Sequence, residues 1–270
     1  MEFFKYHGTG NDFILIKEAP KNPSLIAQKV CDRHFGIGAD GLIYPEPSKI
    51  ADIKFNYYNM DGSIAPMCGN GMRCFVQFLI DEKLISTHDF VVETMAGLIP
   101  VSYNKDHKEI TVDLGVPEHS LSDSLVKKSI QPLTPHVLTL DKTNVTLYVT
   151  NMGTIHTMIY VEASLDIEKL GPLLSKHPFF PKETNVNFIT VHDQTTQTVK
   201  TYERGVGWTL ACGTGTAASA LLSFHLGKTN ASIKTYVPGG TLYVDVLDHV
   251  YLRGPAVMIA KGVFNLNENI

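Results

Sequence analysis

Two stretches of the chain are apolar almost all the way round a helical turn. Met72 to Asp81 carries Cys74, Phe75, Val76, Phe78, Leu79 and Ile80. Thr216 to Leu226 carries Ala217, Ala218, Ala220, Leu221, Leu222 and Phe224. A helix without a polar face is buried on every side rather than laid on a surface. Around these two run segments rich in β-branched and aromatic residues. The pattern predicts strands over Lys5–Ile16, Ile53–Asn59, Val145–Val161 and Gln197–Glu203. A shorter helical pattern, Leu25–Cys31, places Cys31 among core residues, and Cys74 sits inside the first apolar helix. The gaps between strands are short, which favours a mixed, mostly antiparallel sheet over a doubly wound one. The expected class is α/β of the α+β kind, with a sheet wrapped around each central buried helix.

The same turn opens both helices. Met67-Cys68-Gly69-Asn70-Gly71 and Ala211-Cys212-Gly213-Thr214-Gly215 lie 144 positions apart. Gly10-Asn11-Asp12-Phe13-Ile14 is echoed 143 positions later by Gly153-Thr154-Ile155-His156-Thr157, and Gly97 by Gly240 at the same interval. A period this long marks duplicated domains rather than a solenoid. Polar residues between Pro117 and Ser124 interrupt the strand signals and set the expected boundary, giving domains 1–118 and 119–261.

Composition narrows the class without naming the chemistry. The 270 residues are 44% hydrophobic and 19% charged, with a net charge of -4. That fits an ordinary globular protein, and without a basic stripe it argues against nucleic acid as a partner. No apolar run approaches a membrane span and the N-terminus lacks a signal-peptide pattern, so a cytoplasmic enzyme is expected. The four cysteines form no Cys-x-x-Cys pair, which removes most support for zinc or thioredoxin-like readings. No metal site is expected.

Cys68 and Cys212 stand apart, because each precedes a helix whose N-terminal dipole and amides lower a thiol pKa and attract anions. Two such thiols make an acid–base pair able to take a proton from one face of a carbon and return one to the other. Asn59, Glu203 and Arg204 fall at strand ends beside the two turns, where solvated loop is the bland alternative. A strand-end arginine suits carboxylate recognition, and Asn11, Asn70 and Asn185 add neutral groups suited to an amino-acid zwitterion. Amides around Gly69, Asn70, Gly213 and Thr214 suit an α-carboxylate and the charge that builds on it.

These residues resemble the diaminopimelate epimerase family, cofactor-independent two-cysteine enzymes of lysine and peptidoglycan biosynthesis. The likeness runs through His7-Gly8-Thr9-Gly10-Asn11-Asp12-Phe13, Asp32-Arg33-His34-Phe35-Gly36-Ile37-Gly38-Ala39-Asp40-Gly41 and Asp61-Gly62-Ser63. It continues through both cysteine turns, Asn185-Val186-Asn187-Phe188 and Glu203-Arg204-Gly205-Val206-Gly207, and so covers essentially the whole chain. It implies two pseudo-symmetric domains with the active site in the cleft between them, a C-terminal tail, 262–270, returning to the first domain, and a homodimer. It implies no cofactor. Cys212 would accept the α-proton and Cys68 donate one in the L,L-to-meso direction. His156 and Glu203 would support the thiols, although a lone histidine is more often structural. Asn11, Asn59, Asn185, Glu203 and Arg204 would hold the substrate; Gly69, Asn70, Gly213 and Thr214 would hold its reacting carboxylate.

Four departures from the family pattern fall near these motifs. Thr154-Ile155 replaces Asn-Pro before the histidine, Trp208 replaces a glutamate, Ile64 and Pro66 replace acidic residues, and Thr9 replaces an apolar one. Drift is the plain account; a changed pocket, with the indole stacking on a ring or cation, is the sharper one. The substrate expected first is L,L-diaminopimelate, with a histidine or lysine racemase as the rival. A thiol redox protein or a non-catalytic amino-acid binder is the remote alternative.

Overall fold

The computed structural model describes residues 1–117, 120–127, 130–140, 143–163 and 165–266. The chain divides into two compact units, Met1–Asp113 with Arg253–Ile270, and Leu114–Leu252. The expected boundary at 118–119 and the end of the expected tail, 267–270, lie outside the described residues.

The first unit runs β1 (Glu2–Gly8), β2 (Asn11–Leu15), α1 (Pro23–Cys31), β3 (Gly41–Glu46), β4 (Ile53–Asn59), α2 (Gly69–Asp81), β5 (Asp89–Thr94), β6 (Gly97–Asn104) and β7 (Glu109–Asp113). β1–β2, β3–β4, β5–β6 and β6–β7 pair antiparallel, while β2–β3 and β4–β5 pair parallel. The C-terminal strand Val257–Val263 lies antiparallel along β1, with His7 opposite Val257. The chain re-enters this unit at Arg253 rather than at 262, and from Val257 onward its strand pairs with β1. α2 packs on β1 and β2 and also on β6 and β7. Touching both ends of the strand order, it sits inside a curled sheet, and from Gly69 to Leu79 every residue is buried.

The second unit repeats the plan. It runs β8 (His136–Leu140), β9 (Thr143–Asn151), β10 (Ile155–Tyr160), α3 (Ile167–Ser175), β11 (Asn185–Val191), β12 (Thr196–Glu203), β13 (Gly207–Thr209), α4 (Gly213–His225), β14 (Ser232–Val237), β15 (Gly240–Val246) and β16 (Val250–Gly254), whose last two residues already belong to the first unit. β9–β10, β11–β12 and β14–β15 are antiparallel; β10–β11 and β12–β14 are parallel. The order of parallel and antiparallel joints matches the first unit. α4 packs on β9, β10, β11, β12, β14 and β15. Both central helices end in the same Schellman motif: Lys83 and Leu84 donate to Ile80 and Leu79, and Gly227 and Lys228 to Phe224 and Ser223.

Two expected strands prove to be hairpins. Lys5–Ile16 breaks at Thr9 and Gly10, and Val145–Val161 at Gly153, all with positive φ. Both central helices begin three residues earlier than their apolar pattern, because the glycine turns are themselves the first helical turns. Among the described residues no helix is long and apolar enough to cross a membrane.

Candidate active site

In the first unit Cys68 is the N-cap of α2, in extended conformation, and its sulfur accepts from Gly71 N–H at 3.4 Å. The Cys68 thiol donates to Asn11 Oδ1 at 3.7 Å, and Asn70 Nδ2 donates to the same oxygen at 3.2 Å. The orientation of Asn11 is settled by Asp40, whose carboxylate can only accept and receives a hydrogen bond from Asn11 Nδ2 at 2.5 Å. Asp40 also accepts from Asp12 N–H, and Arg33 bridges Asp12 and Asp40 at 2.8 and 2.7 Å. Burial alone would push the Asp12 carboxyl up, but the bonds from Arg33 and Lys5 overrule it and hold the group below the usual carboxylate range. Asn59 belongs to the neighbouring turn instead, its Nδ2 donating to Ser63 Oγ at 3.0 Å. Ile64 and Pro66 are exposed on the loop that leads to Cys68.

Arg73 is the residue that sequence reasoning passed over here. It is the lone charge on the buried stretch of α2 and is 0% exposed. Its guanidinium donates to Pro255 O, Gly69 O and Thr9 Oγ1. Thr9 thus supplies an acceptor that an apolar residue cannot. Gly8 is close under the same group, since a Cβ there would lie 3.0 Å from Arg73 Nη2 and 3.1 Å from the Asn70 carbonyl. A single charged position inside an otherwise apolar helix was the available signal.

In the second unit Cys212 caps α4, with only 6% of its surface exposed. Thr214 Oγ1 lies 3.7 Å from its sulfur and 3.0 Å from His156 Nε2. His156 is fully buried, and burial first, then the Arg204 charge, depresses its pKa to about 3. It is therefore a neutral imidazole at physiological pH. Thr154 Oγ1 is also 3.0 Å from Nε2, so the threonine that replaces the family's asparagine is tied to the histidine. Asn187 Nδ2 approaches His156 Nδ1 at 3.2 Å and donates to Thr157 O at 3.2 Å; its Oδ1 accepts from Thr201 Oγ1 at 2.9 Å. Asn187 stood in a motif to which the sequence attached no role. Gly215 must lack a side chain, since a Cβ there would collide with Asn187 Oδ1.

The other expected residues of this unit cluster around β11 and β12. Asn185 pairs with His156 in register, and its Oδ1 accepts from Arg204 N–H at 3.0 Å. The Arg204 guanidinium reaches Lys182 O, and Glu203 Oε1 accepts from Thr209 Oγ1 at 2.7 Å. Trp208, the indole that the sharper reading has stacking on a ring or cation, packs here on rings of the protein. It lies opposite Tyr202 in register, packs on Tyr202 and Phe188 at 5.6 and 5.7 Å between centroids, and closes over Gly171 of α3. Alternation along β12 puts Tyr202 on the α3 face and Thr201 with Asn187 on the α4 face. Ile155 is likewise core packing.

Gly69 and Asn70 open α2, and Gly213 and Thr214 open α4. First-turn amides point along the helix axis rather than to a preceding turn, the geometry that favours an anion. Cys31 and Cys74 are fully buried; burial pushes Cys31 up to about 12 and raises Cys74 as well, so neither is a thiolate. None of the four cysteines is in a disulfide.

Two units, each a curled sheet with a cysteine-capped central helix, define a fold seen in amino-acid racemases and epimerases. A probable proline racemase from Agrobacterium radiobacter, with bound carbonate, superposes with a TM-score of 0.70 at 15% identity, over 99% of this chain and 94% of that one. A hydroxyproline epimerase from Agrobacterium vitis, with bound trans-4-OH-L-proline, does so at 0.70 and 16%, over 97% and 91%. Within that fold the sequence is more specific. The model of the diaminopimelate epimerase family matches residues 3–120 and 148–259, and the diaminopimelate epimerase of Caldanaerobacter subterraneus subsp. tengcongensis is 41% identical over 97% of this chain and 98% of its own length. The chain belongs to the diaminopimelate epimerase family.

Proposed function

We propose that the protein converts L,L-diaminopimelate to meso-diaminopimelate by a two-base exchange at one α-carbon. The observation that carries the reading is the repetition of one device, a thiol at the N-cap of a buried helix, in two units of a chain that belongs to this family. Cys212 as thiolate takes the α-proton, and Cys68 as thiol returns one to the opposite face, which inverts the centre. The reacting carboxylate is held by the amides at Gly69, Asn70, Gly213 and Thr214, whose fixed dipoles favour the charge that develops as the proton leaves. Asn11, Asn59, Asn185, Glu203 and Arg204 hold the rest of the substrate, with His156 and Glu203 in support. No cofactor enters the step. Thr154 is the one observation that favours a second substrate, because it places a shorter, histidine-bound group where the family pattern has an amide.

The protein works as a homodimer in the cytoplasm. The strand Val257–Val263 supports the first half of that statement: Val257, Met258, Ile259 and Val263 are exposed apolar side chains on a strand that pairs with β1.

The test is a panel of L-amino acids and L,L-diaminopimelate in D2O. Inversion with α-deuteration of diaminopimelate alone is expected. Exchange into histidine or lysine instead would move the substrate, and no α-deuteration of any of them would leave only a binder or a redox protein.

A further inference from the structure

The two units offer an internal control. By strand register and the 143–144 residue interval, Phe13, Ile43 and Tyr57 of the first unit correspond to His156, Asn187 and Thr201 of the second. Under the first turn of α2 the first two positions are hydrophobic: Phe13 and Ile43 face Gly71, and Phe13 packs on the Tyr57 ring at 5.7 Å. Under the first turn of α4 the trio is a hydrogen-bonded chain, with Asn187 facing Gly215. The fold itself accepts hydrophobic residues in place of the imidazole and the amide, so His156 and Asn187 answer some need other than folding.

The direction of each hydrogen bond in that trio follows from its partners. The Thr157 carbonyl can only accept, so the Asn187 group beside it is the amide nitrogen. The same Nδ2 then donates to His156 Nδ1, which must carry a lone pair. A neutral imidazole without a proton on Nδ1 carries it on Nε2. Nε2, as a donor, has nothing to accept with, so neither Thr154 nor Thr214 can give it a proton. The Thr214 hydroxyl therefore turns its own proton away from the ring, where the sulfur of Cys212 lies 3.7 Å off. Arg204 is the charged group whose field reaches His156, and it too opposes an imidazolium.

We infer that Asn187 is a positioning residue which locks the His156 tautomer, so that the Thr214 hydroxyl is a committed donor to the Cys212 thiolate. Cys68 has a mixed surrounding: Asn11, oriented by Asp40, offers an acceptor to its thiol proton, while Gly71 N–H donates to its sulfur. The inference deepens the proposed exchange and rests on it, since it says what favours the basic form of the Cys212 sulfur.

Neither test needs substrate, so each can fail independently of the proposed reaction. Long-range 1H–15N spectra of the wild-type histidine rings, assigned with a His156→Gln variant, are expected to show His156 as the Nε2–H tautomer at neutral pH. The Nδ1–H form or an imidazolium would overturn the inference. With 13Cβ-labelled cysteine, Thr214→Val is expected to raise the ionisation midpoint of Cys212 by about one pH unit, the size of one charge-assisted hydrogen bond. Thr214→Ser, which keeps the hydroxyl, is expected to stay at the wild-type midpoint. Asn187→Ile, which borrows the residue found at Ile43 in the sister unit, is expected to release the tautomer and raise the midpoint as Thr214→Val does. Equal midpoints in wild type and Thr214→Val would contradict the donor role.

Discussion

The first turns of α2 and α4 are the same backbone built for different chemistry. Each is capped by a cysteine and ends thirteen residues later in the same C-terminal motif. Beneath α2 lie aromatic and aliphatic side chains and a buried guanidinium; beneath α4 lies a chain of amide, imidazole and hydroxyls. Arg73 corresponds to Ala217, and Asn70 to Thr214. The duplication supplies two thiols with a common helix-start electrostatic bias, and the residues under each helix then break the equivalence. A reaction that needs an acid and a base from one residue type is served by that combination of shared frame and divergent lining.

The comparison can be broken hardest at the sulfurs. Cys68→Ala and Cys212→Ala are each expected to lower kcat for diaminopimelate by about 10³-fold or more, in keeping with loss of a positioned acid or base. Near-wild-type turnover in either variant would remove that cysteine from the reaction. The next effect is on stability. Arg73→Ala strips hydrogen bonds from two carbonyls and Thr9 in the first unit alone, and a loss of about 3 kcal/mol is expected by chemical denaturation. Ala217 shows that the second unit stands without such a group, so an unchanged midpoint would mean that α2 does too.

The pH response separates the units by sign of charge. His156 is held neutral, with its folded pKa about 3 against 6.5 for the free side chain, so the unfolded chain binds more protons between those values. Its contribution is full above pH 6.5 and is lost as pH falls toward 3. In the first unit Asp12 is held ionised, so its contribution is present above 3.8 and is lost below that, as pH passes the lower folded value. Melting temperatures of wild type and His156→Gln measured across pH 7 to 4 are expected to converge as the pH drops; parallel curves would deny the buried neutral imidazole. The smallest expected effect lies at the helix C-termini. Lys83 holds φ 55° where its counterpart is Gly227, and Lys83→Gly is expected to stabilise by about 0.5–1 kcal/mol.

The sequence announced the architecture at long range better than in detail. The two apolar helices, the repeated cysteine turns and the 143–144 residue interval were legible because burial on all sides and glycine turns leave strong local marks. The hairpins at Gly10 and Gly153 read as continuous strands, since one glycine barely interrupts a β-rich run. Trp208 looked like a pocket residue, yet strand alternation sends it to the α3 face. Asp40, Arg73 and Asn187 were missed as individuals because their roles lie in partners distant along the chain: Asn187 meets His156 across 31 positions and Arg73 meets Pro255 across 182. Only the folded register brings them together.

The division of labour between the two caps is tested most directly by isotope placement in the first turnovers. Starting from L,L-diaminopimelate in D2O, the initial meso product is expected to carry solvent deuterium at the inverted carbon while the remaining L,L substrate stays unlabelled. Initial product that keeps its original protium would mean a single base shuttling one proton, and would contradict the account.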